Sequence, residues 1–420
     1  MWSKYSPLKI FIFYTFFTLF LFYFGPWPWP GRQSFYLPVF MFLILSFLSL
    51  GYYIGVNQKI SNIPVSVFKV KKLYNKSIII ALILFLPTFF WRTNGEINIA
   101  QLSDFGEVYR NSHSLEDVYQ DKTAWIEYLR IIFSYYLMLP IVLMVVFWSN
   151  FTVKQKRFGF LFAISEISLA LFTGTNKIIG TMLITIIFSI IIKLKGRFIS
   201  KKTFGYIAIS IVLFWSFLSY FTKTQIDRSD GETSLRAISS IQLVAEKNNV
   251  LLNYLPDSLI ETYYSLSSYM SQGYQGLAYA LDIDYNWTYG VGYSRFLTVY
   301  FDKYLNFNVN ENTIPFLIQN QYGWDANINW HTMYVWFASD ISFYGLYFLM
   351  FFFGYLLGKT WKESVLLLNP ISILLFVQLS ILVIYACANN QIFQSGTGTV
   401  CFFVTLFLWF FYKNIYGDKL

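Results

Sequence analysis

Between Arg32 and Lys59 the chain runs for 26 residues without a charged side chain. An α-helix rises 1.5 Å per residue, so about 20 apolar residues cross a hydrocarbon layer of roughly 30 Å. Soluble domains, with about a quarter of their residues charged, interrupt such runs. Here only 13% of the 420 residues are charged and 56% are hydrophobic. Similar runs fall at 8–25, 35–56, 77–91, 131–148, 158–173, 178–193, 204–221, 332–358, 370–388 and 397–412. The expected fold class is an all-α polytopic membrane protein with about ten transmembrane helices and a large structured outer loop. A soluble enzyme, a secreted disulfide scaffold and a disordered chain are excluded.

Lys4 and Lys9 precede an apolar stretch that ends at Gly25, as in a signal sequence. No small-x-small cleavage site follows, only Pro26-Trp27-Pro28-Trp29-Pro30, so the stretch reads as an uncleaved first span. With the N-terminus inside, the inner segments collect 19 of the 31 basic residues and only Glu363 and Asp418 as acids. The outer segments hold 12 basic and 18 acidic residues. This asymmetry predicts both termini on the cytoplasmic side. The net charge of +9 then reflects topology, not nucleic-acid binding.

The chain divides into residues 1–221, with seven spans and an outer loop at 92–130, a large outer loop at 222–331, and three spans in 332–420. Ser229 and Glu232 have capping-box spacing, and Leu235, Ile238, Ile241 and Val244 share one face of a predicted helix. The stretch from Leu259 to Leu281 reads as a helix lying on the membrane surface or dipping into it. Cys387 and Cys401 sit in apolar runs, as small hydrophobes and not as a disulfide or metal site.

Arg228, Arg236 and Arg295 fall on the acidic outer side, where no positive-inside pressure retains them. A guanidinium fork suits a phosphate or carboxylate, so the three are candidate anion ligands; pairing with Asp227, Asp230 or Asp302 is the structural alternative. His331 stands where the large loop enters the eighth span, at the water–bilayer boundary. It is a candidate general base, with Asp325 and Asp340 as carboxylates able to orient it. Lys177 closes a very short outer turn and Glu166 lies inside a span; such groups face a cavity or a partner, the simpler alternatives being their mutual contact or snorkelling of Lys177. His113 and Gly290-Val-Gly292 receive no role. No P-loop, nucleophile elbow, HExxH or CxxC occurs, so neither metal nor cofactor is expected.

The Lys177 turn, the long loop and the His331 region together resemble the Wzy-type oligosaccharide repeat-unit polymerases of O-antigen and capsule assembly, and are similar to the related O-antigen ligases. Thr173-Gly-Thr-Asn-Lys177 is similar to a Thr-Gly-Ser-Arg turn of that superfamily, with lysine at, or one place after, the arginine. His331 matches a ligase histidine by position. Asp340-Ile-Ser-Phe-Tyr-Gly345 resembles an Asp-Phe-Gly-x-x-Gly pattern, with Gly354 and Gly358 following. The resemblance implies a GT-C-like fold and metal-independent, inverting transfer of undecaprenyl-diphosphate-linked oligosaccharides on the outer face of the bacterial inner membrane. It implies that Arg228, Arg236, Arg295 and Lys177 hold the diphosphate, and that His331 activates the acceptor. Lipid-linked donor and acceptor, the bilayer, a chain-length regulator and a flippase are the implied partners. A ligase or another GT-C transferase, a flippase or transporter, and a membrane O-acyltransferase are the competing readings.

Overall fold

Pro7 opens the first helix at a position where its missing amide hydrogen costs nothing, and the apolar run continues it to Phe24. A computed structural model describes residues 2–60, 65–93, 95, 108, 124–197, 201–228, 239–241, 243–284, 286–412 and 415–416, with backbone alone at 124, 201–204, 206, 207 and 228. The helices are α1 (Ser6–Phe24), α2 (Tyr36–Asn57), α3 (Val67–Thr93), α4 (Ala124–Ile132), α5 (Ser134–Val146), α6 (Val153–Phe172), α7 (Asn176–Lys193) and α8 (Lys201–Arg228). There follow α9 (Ile260–Ala280), α10 (Arg295–Leu305), α11 (Val309–Asn312), α12 (Ile314–Tyr322), α13 (Met333–Leu366), α14 (Pro370–Tyr385) and α15 (Gly396–Tyr412).

The described residues form helices and no strands. Each expected span falls on a helix, and among the described residues α1, α2, α3, α7 and α13 are long and apolar enough to cross a membrane. A sixth is reached if α4 and α5 count as one span, bent by 54°. The run at 131–148 is therefore two pieces meeting at Phe133, not one straight helix. The run at 332–358 extends to Leu366 and breaks at Ser342, whose φ of 60° and ψ of 170° no helix tolerates. Ile241 and Val244, expected on one helical face, lie in non-helical backbone, and 229–238 lie outside the described residues.

α14 is buried at every residue from Pro370 to Val383, the pattern of a helix enclosed by others. Both cysteines are free and buried beside it; Cys401 Sγ accepts from Gln378 Nε2 at 3.1 Å, and Cys387 Sγ lies 3.6 Å from the Tyr14 hydroxyl.

α2 and α13 cross through reciprocal small-residue notches. Added Cβ atoms at Gly51 and Gly55 would lie 1.9 and 2.1 Å from the carbonyl oxygens of Phe351 and Tyr355. At Gly354 and Gly358 they would lie 2.1 and 2.3 Å from those of Leu48 and Tyr52. Lipid tails are as apolar as leucine, so such close backbone packing is what holds helices together in a bilayer. Gly51→Val and Gly354→Val should each cost about 3 kcal/mol or more, the upper end of overpacking penalties. Thermal unfolding in detergent should show this, with Gly205→Val, which meets nothing within 4 Å, close to wild type.

The described part of 222–331, the stretch expected to form the large outer loop, does not stand apart from the bundle. α9 dips into it: the Tyr274 hydroxyl lies 2.8 Å from Thr18 Oγ1 in α1, and a Cβ on Gly273 would meet the Cys387 carbonyl oxygen at 2.0 Å. The segment 26–30 binds one polar face of α9. Trp27 Nε1 donates to Ser267 Oγ, Trp29 Nε1 to Ser271 Oγ, and Gly31 N–H to Gln275 Oε1. Alternate residues of a proline-rich extended chain are about 6.2 Å apart and every fourth helical residue about 6.0 Å, so the two ladders keep step.

Candidate functional site

Thr173 and Thr175 close the turn after α6, their hydroxyls 3.0 Å apart, and Gly174 takes the positive φ the turn requires. The turn delivers Lys177 into the first helical turn of α7. There a cavity of about 220 Å³ opens, lined by Arg130, Glu166, Lys177, Gln391, Ser395 and Thr397 among its polar residues. Leu137, Met138, Phe162, Met182 and Ile381 supply an apolar lining. Glu127 Oε2 lies 3.8 Å from Arg92 Nη2 and 4.0 Å from Arg130 Nε, so one carboxylate is shared by two arginines. Arg92 also lies over the Trp91 ring at 4.6 Å. Among the described residues, Arg130, Lys177 and Glu166 line the cavity, with the Arg92–Glu127 pair beside Arg130. Among the described residues Glu166 and Lys177 make neither an ion pair nor a hydrogen bond with each other, and they line the cavity without neutralising it. A cation with no ion-pair partner among the described residues, beside an apolar space, suits an anionic ligand.

His331 lies in a loop pinned on several sides. Trp330 N–H donates to Gln272 Oε1 at 2.9 Å, and Trp324 Nε1 donates to the Trp330 carbonyl at 3.3 Å. The imidazole is 1% exposed, and a methyl on Gly276 would sit 3.2 Å from its Cδ2. Nδ1 lies 3.1 Å from the Asn329 carbonyl oxygen. A carbonyl only accepts, so Nδ1 carries the proton and Nε2 the lone pair. Nε2 is buried and has no hydrogen-bond partner among the described residues. Burial pushes the pKa down to about 4, against weaker raising effects from the Asn329 carbonyl and Asp325. The group that orients the ring is a backbone carbonyl, not the Asp325 or Asp340 carboxylate.

Asp340 does different work. Its Oδ1 accepts from Thr288 Oγ1 at 2.6 Å and its Oδ2 from Tyr293 N–H at 2.7 Å. The amides of Gly290 and Gly292 also donate to it. The loop at 288–293 therefore wraps one buried carboxylate just above the break at Ser342, which gives the two glycines a role the sequence alone withheld. Trp287 and Tyr289 stand exposed at that loop, ring centroids 5.2 Å apart.

Arg295, in the first turn of α10, donates to Asn327 Oδ1 at 2.6 Å. Asp325 Oδ1 accepts from Asn327 and Ile328 N–H, closing a local turn. Asp302 receives the amides of Val309 and Asn310 instead of pairing with Arg295 in an evident bridge. Arg236 and the Arg228 side chain lie outside the described residues, so the expected grouping of Arg228, Arg236 and Arg295 with Lys177 is not visible there. Among the described residues, Lys177 lies near Arg92 and Arg130. Both were legible by the same reasoning, as cations on the outer side with no topological pressure to remain there. Compared with known proteins, the chain matches no family model, no curated protein and no solved structure.

Proposed function

We propose that this chain is a metal-independent membrane glycosyltransferase that polymerises undecaprenyl-diphosphate-linked oligosaccharide repeat units on the outer face of the bacterial cytoplasmic membrane. In this reading all ten apolar segments span, in a GT-C-like bundle with both termini inside. The observation that carries it is the cavity at Lys177. Arg130 and Lys177 beside an apolar lining suit a diphosphate on a long hydrocarbon chain. Arg92, Arg130 and Lys177 neutralise that head, with Arg295 and the two other outer arginines serving the same carrier.

The acceptor hydroxyl oxygen attacks the anomeric carbon from the face opposite the diphosphate. The carbon–oxygen bond to the phosphate breaks with its electron pair, leaving the diphosphate on the lipid. The hydroxyl proton passes to His331 Nε2, the bare lone pair. Trp287 and Tyr289 suit stacking on sugar faces.

The test is purified protein in nanodiscs, given synthetic polyprenyl-diphosphate repeat units and a chelator. A ladder of longer glycans on the lipid is expected. Transfer only to a lipid A core would make the protein a ligase. Passage of a labelled lipid-linked glycan across the bilayer without new glycosidic bonds would make it a flippase.

A further inference from the structure

A cavity of about 770 Å³ opens between the first turns of α3 and the start of α6, and a smaller one of about 510 Å³ adjoins it on α6 alone. This is the opposite end of α6 from Lys177, about 30 Å along the helix axis. Lys71, Lys72 and Lys154 line the larger cavity, Lys154 and Arg157 the smaller, and no acidic side chain lines either. An excess of cations at this boundary follows from topology. Their convergence does not.

Neighbouring cations are already engaged. Lys76 donates to the Tyr136 hydroxyl at 2.9 Å, and Lys156 lies over the Trp148 ring at 4.7 Å. Among the described residues, Lys71, Lys72, Lys154 and Arg157 have no hydrogen-bond, ion-pair or ring partner. The rims that carry them are fixed. Thr152 and Gln155 form a reciprocal cap on α6. Gln155 Nε2 donates to Asn75 Oδ1 at 2.8 Å, and the Tyr74 hydroxyl donates to the Gln155 carbonyl at 3.0 Å, joining α6 to α3. Below the cations the wall turns apolar. Ile79 is 58% exposed, Phe158 41% and Leu161 50%, on faces that look sideways out of the bundle.

We infer that these cavities hold one anionic phospholipid, its phosphodiester among Lys71, Lys72, Lys154 and Arg157 and an acyl chain along Ile79, Leu82 and Phe158. Basic pockets between membrane helices suit such headgroups. A free phosphate would leave the apolar wall uncovered. A zwitterionic headgroup would bring its own ammonium among four unneutralised cations. The site is separate from the Lys177 cavity and does not depend on the transferase reading.

The experiment uses the full chain in nanodiscs of phosphatidylcholine with a minor share of phosphatidylglycerol, and native mass spectrometry of the lipids retained after ejection. Wild type should retain phosphatidylglycerol over phosphatidylcholine by at least about tenfold relative to the bulk mixture. Combined Lys71→Ala, Lys72→Ala, Lys154→Ala and Arg157→Ala should bring retention to parity, while Lys76→Ala with Lys156→Ala should leave the preference intact. Ile79→Trp with Leu82→Trp, which fills the apolar wall and keeps every charge, should also weaken retention. Equal enrichment in wild type and the fourfold variant, or release of the lipid by inorganic phosphate alone, would overturn the assignment.

Discussion

His331→Ala should leave single repeat units on the lipid carrier, with the polymerisation rate down by about 10²–10⁴-fold and donor binding largely kept. A sugar hydroxyl does not ionise near neutrality, so its proton must be taken as the new bond forms. The Asn329 carbonyl holds Nδ1–H, which leaves Nε2 as the proton acceptor in the proposed reaction. His331→Gln fills most of the same volume and separates lost chemistry from a lost packing contact. The pH dependence is a sharper check. A folded pKa of about 4 keeps the ring neutral far below the ordinary histidine value. The active form is the unprotonated one, so rate should hold as pH falls through about 6.5 and decline only near the folded value. Stability runs the other way over that window. The unfolded ring binds a proton below about 6.5 and the folded ring does not until about 4, so the folded state loses stability as pH falls between them. An acid limb of the rate near 6.5, or wild-type chains from both variants, would remove His331 from the mechanism and make Asp325 the next candidate.

Lys177→Ala or Arg130→Ala should lower kcat/KM for the lipid-linked donor by about 10²–10³-fold, as when one preorganised charge partner of a developing anion is deleted. The leaving diphosphate gains charge as its bond to the anomeric carbon breaks, and a cation at an apolar cavity is screened less than one in open water. Lys177 has no ion-pair or hydrogen-bond partner among the described residues, so its removal should leave the melting temperature unchanged. Arg130→Lys should recover little, because the lysine keeps the charge but loses the planar fork. Arg130 also shares Glu127 with Arg92. Glu127→Gln should therefore tighten donor binding by removing the carboxylate that competes for Arg130. Unchanged donor kinetics in Lys177→Ala would separate this cavity from the diphosphate.

What could be read along the chain was periodic or additive. Uncharged runs such as residues 33–58 dictated helices, because unpaired backbone amides are intolerable in hydrocarbon and a helix satisfies its own. The two cysteines and the proline-tryptophan run were likewise legible as packed, rigid elements. Contacts between distant segments were not legible, since they depend on which faces meet. Nothing local in Gly51 or Gly354 announces that each lies against the other helix's carbonyls. Nothing local in Asp340 shows that it receives amides from residues about fifty positions earlier. Asn329 fixes the tautomer of His331 only because the loop is pinned by Gln272 and Trp324. Lys177 and Arg130 line one cavity because the ends of α4, α6 and α7 converge on it. Hydrophobic patterning determined which segments became helices; only the packing of those helices decided which charges face one another, since a side chain's electrostatic partners are set by distance in space and not along the chain.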